Sequence, residues 1–138
     1  NKKTIVIYVI VSVFVVIFTI WTLFWGGIDI SFHDNDFTVE AQGWSDYTVG
    51  YEQIDSISYK ENLFQNGNDC RTNGMGNLKY GMGNFRNDIY GDYIRYTHAS
   101  CHSYVVMDIG GKILVVNGAD DSETKKIYDI LREKCQMN

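Results

Sequence analysis

A chain of 138 residues, 45% apolar and 14% aromatic with a formal charge of −5, is long enough for one packed domain and too short for several. Multi-domain enzymes and collagen-like chains are excluded, and this apolar content offsets the ordering entropy that keeps polar chains disordered. The averages conceal two unlike parts.

Residues 4–25 hold 18 apolar residues in 22 and no charge. As a helix this run would span about 33 Å, close to the roughly 30 Å of a bilayer's hydrocarbon core, which predicts a transmembrane helix. Its many Val and Ile residues would favour a strand in water, but polar alternation is missing, and a lone strand in lipid leaves its backbone unpaired. Trp21, Phe24 and Trp25 fall where an interfacial aromatic belt belongs. Lys2 and Lys3 precede the run, whereas Asp29, Asp34 and Asp36 follow it. The positive-inside rule then puts residues 1–3 in the cytoplasm and residues 26–138 outside it, in a single-pass protein of the cell membrane. A further span upstream of Asn1 would reverse that orientation. A signal peptide has a shorter apolar region, about 7–15 residues, and Trp25-Gly26-Gly27-Ile28 offers no small-x-small cleavage site, so an uncleaved anchor is expected.

Residues 26–138 contain 44 apolar residues in 113, or 39%, and 10 Lys and Arg against 17 Asp and Glu, a formal charge of −7. Such an acidic domain is repelled at long range by nucleic acid and by anionic lipid, so no nucleic-acid partner is expected. From Ile28 the pattern switches to period two. Ile28, Ile30 and Phe32 alternate with Asp29, Ser31 and His33, Asp34-Asn35-Asp36 supplies a turn, and Phe37, Val39 and Ala41 complete a hairpin. Further strands are predicted over 47–51, 56–60, 82–85, 93–97, 104–109 and 113–117, with Gly110-Gly111 as a two-residue hairpin turn. Asp120 or Asp121 then caps a helix, Glu123 completing a capping box, with Thr124, Ile127, Ile130, Leu131 and Cys135 as its apolar stripe. Seven or eight short strands and one amphipathic helix predict a mainly β domain, a strongly bent sheet or partly open barrel plugged by its C-terminal helix.

Residues 62–83 read as one long connection rich in Gly and Asn, the kind of segment that often carries function. Within it, Arg71-Thr72-Asn73-Gly74-Met75-Gly76 and Gly81-Met82-Gly83 lack the Lys, the spacing and the helix start of a phosphate cradle. Glycines serving left-handed turns and a bulge are the better reading. As a binding surface, Arg71 would meet a carboxylate or carbonyl, Asn73 would supply amide hydrogen bonds beside Gly74, and Tyr80 would be an aromatic contact. His98, Cys101 and His102 lie within five residues and are all potential metal ligands, but a fourth ligand is not evident. Three cysteines do not make a disulfide framework; a Cys70–Cys101 bridge stays open to an oxidising compartment, and Cys135 belongs to the helix's apolar stripe.

Taken together, Arg71-Thr72-Asn73-Gly74, Gly83-Asn84-Phe85, Tyr90-Gly91-Asp92-Tyr93, Tyr104-Val105-Val106, Val115-Val116-Asn117 and Glu123-Thr124-Lys125-Lys126-Ile127-Tyr128 resemble small bacterial pleckstrin-homology-like (PH-like) proteins. That family joins one or more N-terminal membrane helices to a PH-like domain, and the likeness covers about residues 28–134. It implies a bent barrel of about seven strands in two roughly orthogonal antiparallel sheets, closed at one corner by the C-terminal helix. Phosphoinositide-binding PH domains use basic residues around the first strand–strand loop, where this chain has Asp34-Asn35-Asp36, so phosphoinositide is not an expected ligand. The resemblance implies neither catalytic residues nor a cofactor. The expectation is a membrane-anchored, non-catalytic domain binding a protein, a peptide or an envelope component. Alternatives are a metal-dependent or hydrolytic enzyme using His98, Cys101 and His102, and a structural subunit of a membrane assembly packed through Ser12 and Thr19.

Overall fold

The computed structural model describes residues 1–64 and 69–136. A long helix, α1 (Lys2–Phe24), is exposed all along its length and is apolar and long enough to cross a membrane. The hydroxyls of Ser12 and Thr19 donate to the carbonyls of Tyr8 and Val15 in their own helix, at 2.8 and 2.7 Å, so neither needs a neighbouring helix to satisfy it. Only Trp25 and Gly26 separate α1 from the first strand.

Nine strands follow: β1 (Gly27–Phe32), β2 (Asp36–Gln42), β3 (Tyr47–Gly50), β4 (Ser56–Glu61), β5 (Cys70–Gly76), β6 (Tyr80–Asn87), β7 (Gly91–His98), β8 (Ser103–Ile109) and β9 (Lys112–Val116). The helix α2 (Asp121–Lys134) closes the domain. The strands form a three-stranded sheet in the order β1-β2-β3 and a six-stranded sheet in the order β4-β8-β9-β7-β6-β5. The eight strands expected are present, and the ninth is β5, in the middle of the stretch that reads as a loop. Its residues, Cys-Arg-Thr-Asn-Gly-Met-Gly, do not alternate, because β5 is an edge strand held by backbone bonds to β6 and not by a buried face. Another difference is the pairing of β7 with β9, which is parallel. β9 returns from its hairpin with β8 and enters the sheet between β8 and β7, so the sheet is not wholly antiparallel.

The apolar runs of β8 and β9 follow from burial on both faces. Val105, Met107, Leu114 and Val116 join the main core, between the two sheets and under α2, with Phe37, Val39, Tyr96 and Leu131. Their neighbours Tyr104, Val106 and Val115 face the other side, where with Phe85 and Tyr93 they form a second cluster covered by Leu63 and Phe64. α2 seats Thr124 and Leu131 in the interior, as its predicted stripe requires. Asp120 caps it by accepting from the Glu123 N–H at 2.8 Å, while the Glu123 carboxylate accepts from Ala119 N–H at 3.0 Å, one residue earlier than a standard capping box.

Tyr96 is fully buried and its hydroxyl donates to the Ser45 carbonyl at 2.6 Å. Burial, with smaller contributions from Asp46 and Tyr47, pushes its phenol up to about 12. Tyrosines of the unfolded chain ionise near 10, so above that pH the unfolded state sheds this proton first. Stability is therefore expected to fall as pH rises from about 10 to about 12. A spectrophotometric tyrosinate titration should show Tyr96 ionising only with unfolding, whereas complete ionisation near pH 10 in the folded protein would contradict the burial argument.

Candidate functional site

The stretch singled out in the sequence is the β5–β6 hairpin. Along β5, Cys70, Arg71, Thr72 and Asn73 are all exposed, and the register shifts between Arg71 and Asn73 in a β-bulge. Bulges at sheet edges re-aim side chains and end pairing. Thr72 Oγ1 donates to the Asn84 carbonyl at 3.2 Å across the hairpin. The Arg71 guanidinium doubles back over Gly76 and occupies the place a side chain there would take.

Beside this edge lies an open concavity of about 430 Å³ whose lining includes Thr72, Asn73, Asn84, Arg86, Asp92 and Lys112. Arg86 and Asp92 are joined by a bidentate ion pair, with Nε and Nη2 at 2.7 and 3.0 Å from the two carboxylate oxygens. The Arg86 hydrogen bond holds the Asp92 carboxyl below the usual carboxylate range. Lys112 comes to the same place from β9. Arg86 and Lys112 outweigh Asp92, so a locally cationic rim exists on an acidic domain. It was invisible in the sequence, because 26 positions separate Arg86 from Lys112.

Two of the expected contacts are placed differently. Tyr80 is buried in the main core with its ring 5.4 Å from that of His98, so it is a packing residue and not an aromatic contact for a partner. β6 starts two residues earlier than its predicted core, and that turns Tyr80 inward. Gly74 stands opposite Gly83 in the ladder, and both have positive φ, +153° and +114°. A Cβ on Gly83 would lie 2.5 Å from the Asn73 carbonyl oxygen and 2.7 Å from Gly74 Cα, and one on Gly74 would strike the Met82 carbonyl. The absence of a side chain at both positions is what lets the two strands approach this closely.

The His-Cys-His segment does not converge. Cys101 is buried, with its sulfur 3.2 Å from Ser103 Oγ, 3.4 Å from Thr124 Oγ1 and 3.6 Å from Asp121 Oδ1. His98 turns toward Asn117, whose Oδ1 accepts from the His98 backbone N–H at 2.7 Å. His102 is exposed. Among the described residues, no group of three His, Cys, Asp or Glu side chains could hold a metal ion. Asn117 also donates to the Cys101 carbonyl, and Ser103 Oγ donates to Asp121 at 2.7 Å, so these polar groups pin the β7–β8 connection to the start of α2. All three cysteines are unpaired. The Cys70–Cys101 bridge is not formed: Cys70 is exposed at the sheet's outer edge, whereas Cys101 is buried beneath α2.

Two residues carry more than their sequence context suggests. Arg95 reads as one of several interleaved charges, but its Nη1 lies 2.6 Å from Asp69 Oδ2 and its guanidinium carbon sits 3.9 Å from the centre of the Phe64 ring. The Tyr93 hydroxyl donates to the same carboxylate, and burial followed by that hydrogen bond raises its phenol pKa. Asn77 is the other. Its Oδ1 accepts from the N–H groups of Lys79 and Tyr80, both at 2.9 Å, shaping the β5–β6 turn. Its Nδ2 donates to the carbonyls of Trp25 and Thr22, at 2.7 and 3.2 Å. An Asn heading a turn is legible in sequence; a bond reaching more than fifty residues back is not.

Comparison with protein-family models, with curated proteins and with solved structures finds no match to this chain.

Proposed function

We propose that the chain is a single-pass membrane protein whose extracytoplasmic, non-catalytic PH-like domain binds a protein, a peptide or an envelope component along the β5 edge. The observation that carries this reading is that β5, among the described residues, is the last strand of its sheet, exposed from Cys70 to Asn73 and flanked by the cationic concavity of Arg86 and Lys112. An extended segment can add to such an edge through backbone hydrogen bonds, and Arg71 and Asn73 would select one bearing carboxylate and amide groups. Two sheets around one core with an amphipathic C-terminal helix support the PH-like assignment; nine strands and the parallel β7–β9 pair depart from the implied pattern. The charges flanking α1 support the orientation. The acidic β1–β2 turn, where Asp36 pairs with His33, speaks against phosphoinositide.

A photo-crosslinking amino acid at Thr72 should trap a partner in native membranes. Arg71→Ala combined with Asn73→Ala should change folding stability by no more than about 0.5 kcal/mol, as is usual for surface sites, and should abolish the crosslink. An undiminished crosslink would remove these two residues from the binding surface.

A further inference from the structure

We infer that the β5–β6 turn is a second membrane contact: Leu78 enters the bilayer interface beside the end of α1, while Asn77 caps that helix and fixes the posture of the β domain. This rests on the reading of α1 as a membrane anchor.

A helix ends with four carbonyls that lack intrahelical partners, and near hydrocarbon each unpaired one is costly. In α1 and its C-cap, three terminal carbonyls are satisfied by one turn of the β domain. Asn77 donates to Thr22 and Trp25, and the Leu78 N–H donates to Leu23 at 3.1 Å. The bond to Leu23 sets the depth of Leu78, which must lie level with the helix's last turn. Leu78 is nevertheless 61% exposed. Among the described residues outside α1, only Leu78 and Ile89 are large apolar side chains left this open. The two lie beyond opposite ends of β6, whose eight residues put Ile89 roughly 25 Å along the strand from Leu78 and from the bonds that tie this turn to α1. Leu78 thus extends the apolar surface of α1, whereas Ile89 does not. Lys79, the next residue, suits the headgroup layer, where a cation can remain hydrated while its stem lies against apolar surface. The turn residues Asn77, Leu78 and Lys79 include no carboxylate to resist insertion.

The junction is also packed to receive the turn. Met75 and Tyr80, which flank it, close on Gly26, where a Cβ would stand 3.0 Å from the Met75 methyl and 2.9 Å from the Tyr80 ring. With a two-residue link to β1 and the Asn77 cap as a second tether, α1 and the β domain are held at two points. The β5–β6 turn is then kept at the membrane, while the concavity lined by Arg86 and Asp92, near the other end of β6, is turned away from it.

The test uses the full chain reconstituted in phosphatidylcholine–phosphatidylglycerol vesicles, with a photoactivatable benzophenone amino acid at Leu23, Leu78 or Ile89 and lipid adducts read by mass spectrometry. Circular dichroism checks that each variant is folded. Lipid adducts at Leu23 and Leu78 but not at Ile89 are expected. In an Asn77→Ala background the yield at Leu78 should fall by up to about thirtyfold, the factor that the two hydrogen bonds lost from α1 set on a docking equilibrium, with the yield at Leu23 unchanged. Adducts at Leu23 with none at Leu78 would overturn the second contact and leave the anchor standing; none at Leu23 would overturn the anchor itself. Equal yields at Leu78 and Ile89 would also overturn the inference, since the domain would then have no fixed posture. An undiminished Leu78 yield without Asn77 would overturn the capping role.

Discussion

Gly83→Val is expected to destabilise the domain by about 3–5 kcal/mol, combining the cost of a β-branched residue at positive φ with that of overpacking. Gly83 faces Gly74 across the β5–β6 ladder, and the new Cβ would begin 2.5 Å from the Asn73 carbonyl oxygen. The obstacle is backbone, so no side-chain rotation relieves it. The ladder must open, and β5 has no buried face to hold it in place once its bonds to β6 are broken. Urea unfolding of the purified chain, followed by circular dichroism, measures the loss. The result separates two roles for the glycines. In an open ligand-binding loop the same substitution would cost at most the strain of the positive φ, about 1–3 kcal/mol, with no overpacking added. Paired in a ladder, it carries both costs.

Arg95→Met is expected to cost about 3 kcal/mol, within the range for breaking a mostly buried ion pair by removing one partner. The side chains of Arg95 and Asp69 are only 16% and 14% exposed, so the carboxylate left behind would be poorly hydrated. The stacking of the guanidinium on Phe64 would be lost as well. Arg95→Lys should restore little, because an ammonium lacks the planar fork that bonds Asp69 while lying flat on a ring. Pairing Arg95→Met with Asp69→Asn should recover part of the loss and yield a coupling energy from the double-mutant cycle. Additive losses would show that Arg95 acts only by filling space. Native-state hydrogen exchange should locate the damage near Leu63, Phe64 and β7, since Phe64 and Asp69 are what Arg95 holds against the sheet.

Much of the architecture is legible in residue order because its signals are local. The uninterrupted apolar run predicts α1, period two predicts the β1–β2 hairpin, Gly110-Gly111 marks the β8–β9 turn, and the cap at Asp120 starts α2. Each depends on residues no more than a few positions apart. Apolar runs such as Leu114-Val115-Val116 are strong strand signals but do not tell which partner each face meets. Only assembly shows that Leu114 and Val116 serve one core and Val115 another. β5 is illegible for the opposite reason: unlike the edge strands β1 and β4, whose apolar residues alternate, it has no fully buried residue and no alternation, so nothing in its pattern distinguishes it from a loop.

The candidate site divides along the same line. Arg71 and Asn73 are exposed, as the polarity of their segment leads one to expect, but on a strand where the sequence reads a loop. Tyr80 is not, since one buried position at the start of β6 outweighs the loop character of its neighbours. His98, Cys101 and His102 are close in the chain but go to separate surroundings, because adjacency along a bending connection does not set direction.

What the sequence by itself determines is therefore the division of the chain into an apolar helix and an acidic, β-rich domain ending in an amphipathic helix. These properties follow from composition and short-range periodicity. The tertiary structure alone decides that Gly74 meets Gly83, that Arg86 and Lys112 share one rim, that Arg95 pins Asp69 and Phe64, and that Asn77 closes the end of α1. Each of these joins residues from different elements, and such pairings are set by how sheets and helices pack, which no local pattern encodes.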